Sequence, residues 1–387
     1  MTTNDTKIPL WRDERFWRIA IQLLVVIALI VGALLLLSNL NRNMQRQGIQ
    51  FGFSFLRSPA GFSIGETLLP YLPNDPYFRA LLAGVVNTLR VMIPGIILTT
   101  LLGIAAGIAS FSENWLVRKL SLSYVEIVRN TPMLLQLYFW YFAVFFGLPR
   151  PENQINIVDA FFLSKAGVYI PWPANTPLVW MWLAVLVAGA VAAFFLWQWR
   201  TKLIVEQGAS GKLQLQILLG MAIAAALILV AGLGWRAPIS EAPGQVQGGL
   251  RLTLEFSALL AGLVFYTGAF VAEVVRAGIQ AVSKGQWEAA RSLGLQPGLV
   301  MRLVVFPQAL RVMLPPLNSQ YQNLAKNSSL GSALAYPEIF LVSSTTFNQT
   351  GRPVEVFVLI MVIYLIINLT ISLSMNQLNR VVQLKER

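Results

Sequence analysis

Six ionisable residues, Arg90, Glu126, Arg129, Glu255, Glu273 and Lys326, lie inside long apolar runs. A charge there is costly unless it is paired or faces water, so each is a candidate functional group. Glu126 and Arg129 stand three residues apart, as do Glu273 and Arg276. On a helix each pair shares one face and can neutralise itself, which suits an ion pair or a gate. Arg90, Gln136, Glu255, Gln320, Asn323 and Lys326 are candidates to line a polar route. The same side chains also suit plain hydrogen bonds between helices, and both alternatives stand open. Bond-making chemistry has little to work with. There is no His and no Cys, and Asp occurs only at 5, 13, 75 and 159. Thiol and imidazole catalysis and the usual zinc ligands are excluded.

The elements that must hold these residues are membrane helices. Of 387 residues 56% are hydrophobic and 12% charged, with mean hydropathy +0.62. A soluble domain carries about 25% charged residues, so the class is an all-α polytopic membrane protein. Clear apolar runs are Ile19–Leu37, Leu81–Phe111, Leu120–Leu148, Leu178–Trp197, Leu213–Leu233, Leu252–Val275 and Val354–Leu373. Each is long enough for a span of about 20 residues. An eighth, Leu314–Val342, is weak because it holds Asn318, Gln320, Gln322, Asn323, Lys326 and Asn327. Eight spans place most of the 29 Lys and Arg on one side, together with both termini. That side is the cytoplasm by the positive-inside rule. The net charge of +12 is thereby a matter of topology, not of nucleic-acid binding. Tyr169, Trp172, Trp197 and Trp199 suit interfacial anchors.

One segment breaks the apolar pattern on the cytoplasmic side. It reads EAARSLGLQPGLVMRLVVFPQALRVMLPP from Glu288 to Pro316. Ser283 and Gln286 have the spacing of a capping box for a short helix. Gly294 suits its left-handed end, Pro297 opens a second helix, and Pro307 interrupts that one. Ala289 and Ala290 then lie on an exposed face, small enough for another surface to approach closely. From the residues alone this is a docking element or an interfacial amphipathic helix.

Glu288-Ala289-Ala290, three residues, Gly294, nine residues and Val304-Val305-Phe306-Pro307 resemble the EAA loop of permeases in binding-protein-dependent ABC importers. Val304 and Phe306 stand where Ile and Leu are usual. "YVEIVRNTPMLLQL" from Tyr124, "GAFVAEVVRAGIQAVSKGQWEAA" from Gly268 and "LAKNSSL" from Leu324 resemble the polar, or general L-, amino-acid branch. Asn130 and Asn327 depart from it, where Gly and Asp are frequent.

The resemblance implies a type I importer core in two parts, 80–149 and 250–387, with the EAA loop at 283–307. Residues 1–79 add a leading span, and 150–249 insert two more. It implies that Glu288, Ala289, Ala290 and Gly294 seat on an ABC ATP-binding subunit, Glu288 as an ionic contact. It further implies a second, distinct permease subunit, a periplasmic amino-acid-binding protein meeting the outer segments Asn41–Arg79 and Leu148–Pro177, and the bacterial inner membrane. ATP and Mg belong to the partner ATPases, and this chain carries no cofactor. Glu255 and Lys326 are the candidates to face a zwitterionic amino acid. "GASGKL" is no P-loop, because Glu206 stands at the first glycine and Leu213 replaces Ser or Thr. A self-sufficient secondary transporter or channel is the alternative.

Overall fold

The computed structural model describes residues 14–46, 51–207, 210–242 and 244–382. The chain ends, expected in the cytoplasm, lie outside the described residues. At the centre two helices run side by side, α2 (Tyr77–Ala109) and α7 (Leu254–Gln280). They are parallel, because contacts advance together: Thr99 Oγ1 donates to Val264 O (3.4 Å), Gly103 faces Val271 and Gly107 faces Val275. A side chain at Gly107 would put its Cβ 2.7 Å from Val275 Cβ and 2.9 Å from Ala272 O. Lipid gives apolar helices no reason to associate, so close van der Waals packing over small residues supplies the attraction.

Around this pair pack α3 (Trp115–Arg129), α4 (Met133–Tyr138), α10 (Phe306–Asn327), α11 (Ile339–Thr350) and α12 (Pro353–Val382). Among the described residues seven helical segments are long and apolar enough to cross a membrane, against eight expected. The missing one is Leu120–Leu148. Its helix stops at Arg129 and restarts at Met133, passing through a π-turn at Phe139–Phe145. Pro132 is the cause, since a residue before proline avoids helical geometry.

The weak run Leu314–Val342 also changes shape. Its span starts earlier, running from Pro297 to Leu334. The short α9 (Pro297–Val300) continues through a π-turn at Met301–Val305 into α10, so Pro307 does not interrupt it. The wider turn lies immediately before Pro307, where a regular helix would force its ring onto the carbonyl four residues back. Pro315 and Pro316 also lie within α10. After the 3-10 turn Ser328–Leu334, Ala335 adopts φ +59°, and α11 starts as a separate 12-residue helix.

Two parts stand away from this bundle. The helix α1 (Glu14–Arg46) has an apolar stretch, Phe16–Leu36, that packs against little else in the chain. The hairpin of α5 (Pro177–Gln207) and α6 (Lys212–Leu227) packs chiefly on itself. Flanking it are short strands the sequence did not announce. β1 (Ile155–Ile157), β2 (Phe161–Ser164), β3 (Gly167–Ile170) and β8 (Leu250–Leu252) form one antiparallel sheet. β4 (Trp172–Pro173) pairs with β5 (Trp235–Arg236), and β6 (Ile239–Ala242) with β7 (Gln245–Gln247). Because β3 pairs with β8, the excursion returns to its starting point just before α7 begins.

Replacing Gly107 by Leu places a side chain where Val275 already sits. Overpacking of this kind costs on the order of 1–3 kcal/mol. The variant is expected to unfold several degrees earlier than the parent in detergent thermal melts. An unchanged melting temperature would mean that α2 and α7 do not depend on this contact.

Candidate functional site

The polar segment forms a short amphipathic helix at one end of the bundle. This helix, α8 (Lys284–Ser292), follows α7 directly and ends at Leu293. Gly294 has φ +75°, its N–H donates to Arg291 O (2.9 Å), and Leu295 N–H reaches back to Ala290 O (3.4 Å). That is the Schellman pattern, which a left-handed residue permits at little cost. The capping box does not form: Ser283 makes no side-chain cap, and Gln286 Oε1 accepts from Gln308 Nε2 (3.2 Å). The two alanines part company. Ala289 is exposed, whereas Ala290 is buried in a cluster with Val282, Val300, Val305 and Ala309. Ala290 therefore anchors α8 to its own chain and is not part of an exposed face. Glu288 is exposed, and Leu293 is 81% exposed at the tip. Leu293 was missed in the sequence, although an apolar residue just before a helix-ending glycine is a readable signal.

At the opposite end the chain between α1 and α2 folds back over the bundle. Asn87 Nδ2 donates to Glu66 O (2.7 Å) and Pro337 O (2.9 Å). Glu66 bonds Arg90 (2.6 Å) with one carboxylate oxygen and the Thr253 hydroxyl with the other. Arg90 also lies over the Phe256 ring at 4.6 Å. One carboxylate thus ties together α2 and the start of α7. Arg90, a candidate for the route, is engaged in this ion pair, and its partner lies in a loop where no pattern marked it. Tyr71 closes the same loop by donating to Phe62 O (2.8 Å), and burial holds its phenol above the ordinary pKa.

A cavity of about 400 Å³ opens beside this lock, lined by Glu66, Thr253, Glu255, Ala335, Pro337 and Thr345, among others. Glu255 accepts from Tyr141 OH (3.2 Å). Glu338, unnoticed in the sequence and fully buried, accepts from the N–H groups of Phe340 (2.7 Å) and Leu341 (2.8 Å) and so caps α11. Gln136, a candidate for the route, is a brace instead. Its Nε2 donates to Val128 O (2.9 Å) and Thr131 O (3.0 Å), satisfying carbonyls freed by the break at Pro132.

The charged pairs gather near the α8 end, between α3 and α7. Glu273 bonds Arg276 twice (2.7 and 3.1 Å) and also meets Arg129 at 3.5 Å. Arg129 thus turns to α7 and not to Glu126 on its own helix. All four line a cleft of about 530 Å³ with Lys119 and Asn130. On α10, Pro316, Ser319, Asn323 and Lys326 are exposed along one stripe with Gln320 beside it, while Met313, Leu317, Tyr321 and Leu324 are buried behind. Lys326 does not line the cavity that holds Glu255. Among the described residues no group of three or more His, Cys, Asp or Glu could hold a metal ion.

The spanning helices thus carry an amphipathic helix and a charged cleft at one end and the Glu66–Arg90 lock at the other. The signature described as "Binding-protein-dependent transport system inner membrane component" matches residues 215–385. YhdX of Escherichia coli, named for amino-acid ABC transport, is 41% identical over 96% of this chain and 95% of its own. The general L-amino acid transport system permease protein AapQ of Rhizobium johnstonii is 37% identical over 97% of this chain and 94% of its own. BztB of Rhodobacter capsulatus, a glutamate/glutamine/aspartate/asparagine transport system permease protein, is 38% identical over 97% and 96%. The chain belongs to the family of amino-acid ABC transporter permeases, multi-pass proteins of the inner membrane.

The Glu66–Arg90 pair is largely shielded, with side chains 14% and 13% exposed. Removing one partner of such a pair strands the other, at a cost on the order of 3 kcal/mol. Arg90→Met is therefore expected to lower the thermal midpoint more than the double variant Glu66→Gln/Arg90→Met. Equal and additive losses would show the two side chains to be uncoupled.

Proposed function

We propose that the chain forms half of the translocation path of an ATP-driven importer of polar amino acids, with α8 as its seat on an ATP-binding subunit. The observation that carries this is α8 itself. It is a polar helix fixed at its root by Ala290 and stopped by Gly294, and it leaves Glu288, Ala289 and Leu293 bare at the end of the bundle. Exposed Leu293 and the neighbouring carboxylate suit a groove with an apolar floor and a basic rim. Movement of that groove would be transmitted through Ala290, Val300 and Val305 to the feet of α7 and α10.

In this proposal ATP and Mg²⁺ act on the ATP-binding subunits, and a second permease subunit completes the path. The stripe of α10 (Gln320, Asn323 and Lys326) faces that path, where a polar surface is tolerated within the membrane. Glu255 stands at the outer mouth beneath a seal made by Glu66, Arg90 and Thr253. Glu126, Arg129, Glu273 and Arg276 stand at the cytoplasmic mouth, and both termini are cytoplasmic. Segments 80–149 and 250–387 are the core, and the fold-back loop at 51–76 is the face offered to a periplasmic amino-acid-binding protein. The names of the relatives favour polar amino acids as cargo.

Glu288→Lys and Gly294→Asp are each expected to cut uptake of radiolabelled glutamate or glutamine at least ~10-fold, equivalent to about 1.4 kcal/mol of coupling. Membrane levels should stay normal. Undiminished uptake in both would remove α8 from the coupling role. For the path, Lys326→Gln and Glu255→Gln should raise the KM for zwitterionic substrates, measured in proteoliposomes. Unchanged KM and substrate range would place neither residue on the route.

A further inference from the structure

The sheet in the insertion has two unlike faces. Directly opposed residues in an antiparallel sheet share a face, as do residues two apart along a strand. Ile155 opposes Leu163, which opposes Val168, which opposes Leu252. On the same face Ile157 opposes Phe161 and Ile170 opposes Leu250, so that face is wholly apolar. The reverse face carries Asn156, Phe162, Ser164, Tyr169 and Arg251, and there Phe162 and Ser164 are buried. Both faces are partly bare, but with opposite chemistry: on the apolar one Ile155, Ile157 and Phe161 are 44, 45 and 41% exposed, and on the reverse the exposed residues are the polar Asn156 and Arg251.

Towards the bundle the same face continues into a groove of about 540 Å³. Ile170, Leu250 and Leu252 line it together with Leu89, Ile93 and Ile97 of α2. Ile93 and Ile97 are half exposed in the middle of a membrane span. Phe78 and Leu82, nearer the start of α2, are bare as well, so uncovered apolar side chains reach beyond the level of the sheet. On the strands leading to and from the α5–α6 hairpin, Trp172 and Trp235 are also half exposed. Tryptophan favours the level of the lipid headgroups.

The turn joining β1 to β2 has the same character. Val158 has φ +57° and Asp159 φ +51°, and Val158 is 87% exposed. A β-branched residue in the left-handed region is an outlier, and a turn of this kind ordinarily carries Asn, Asp or Gly. Asn156 holds it from the polar face, where its Oδ1 accepts from Asp159 N–H (3.0 Å) and its amide reaches the Asp159 carboxylate. The aliphatic tip is thereby thrust outward next to an uncovered apolar face. On a water-facing loop this arrangement has no stabilising partner.

We propose that the hairpin Ile155–Ser164 is an interfacial wedge, its apolar face and the Val158 tip lying among the acyl chains of the leaflet opposite the α8 end. The occupant of this surface is lipid, because the face continues the bare flank of α2 and its own side chains are all apolar, while Arg90, which also lines the groove, is already paired with Glu66. The insertion then seats on the membrane, and this part of Leu148–Pro177 does not present a platform to a soluble protein. It stands whether or not the coupling assignment of α8 holds.

This chain has no cysteine, so on it a thiol label goes only where one is introduced. Val158→Cys, Ile157→Cys and Asn156→Cys would each be labelled with bimane in the complete transporter, in phosphatidylcholine–phosphatidylglycerol vesicles. A tenth or so of the lipid would carry a doxyl group on its acyl chain. Labels at 157 and 158 are expected to lose at least half their emission to doxyl lipid and to resist aqueous iodide, with the label at 156 behaving the opposite way. Equal iodide quenching at all three positions would overturn the wedge. So would shielding of 157 and 158 from both quenchers, which would mean that another subunit covers the face.

Discussion

The close contact of α2 with α7 is the constraint on which the rest of the structure depends. Gly103 and Gly107 bring the two backbones together against Val271 and Val275, and Gly268 does the same from the other side against Leu102 and the Tyr124 hydroxyl. Further along α7, Gly278 admits Met313 of α10, and Gly262 admits Leu137 beyond the break at Pro132. One helix thus receives four neighbours at nearly backbone distance. In a bilayer that is the available way to gain attraction between apolar helices, since moving them apart exposes no surface to water. The charged cleft, the Glu66–Thr253 lock and α8 all adjoin α7, so its fixed placement sets their geometry.

The second constraint is that backbone groups at membrane depth need partners. Each interruption of a helix here carries its own. Gln136 satisfies carbonyls released at the Pro132 break, Glu338 caps the new start at α11, and the π-turn at Met301–Val305 carries the chain past Pro307. Discontinuous helices are tolerated in lipid only where such groups are satisfied by protein or water. Polar side chains that look like a solute route can therefore be repairs to the backbone. Gln136 is one.

That distinction decides how much was legible. The pattern from Glu288 to Pro307 was readable because its meaning lies in short spacings within one helix and turn. The poor hydropathy of Leu314–Val342 was readable too, since a polar stripe at helical spacing survives in any sequence plot, and α10 carries it on one exposed side. The role of Arg90 was not, because its partner Glu66 lies 24 residues away in a loop and meets it only after the fold-back. The division between Ala289 and Ala290 needed the direction of α8 relative to α7. The strands were silent because they are two to four residues long, and their alternation is lost among apolar neighbours.

The segments outside the central bundle lie where the chain can leave it without disturbing α2 and α7. A leading helix such as α1 changes only what precedes residue 51, and its apolar surface is already suited to lipid. A long excursion before α7 is harder to accommodate, because a displaced α7 would lose its glycine contacts. The pairing of β3 with β8 solves this by bringing the chain back to within one strand of its departure before Thr253 caps α7, its hydroxyl accepting from Phe256 N–H (3.2 Å). Thr253 is also bonded to Glu66, so the returning chain is fixed to α2 through the same carboxylate that holds Arg90. The excursion between β3 and β8 is therefore closed at its base by their pairing and by the Glu66–Thr253 bond. What lies beyond that base is free to become two spans, while α7 keeps its register.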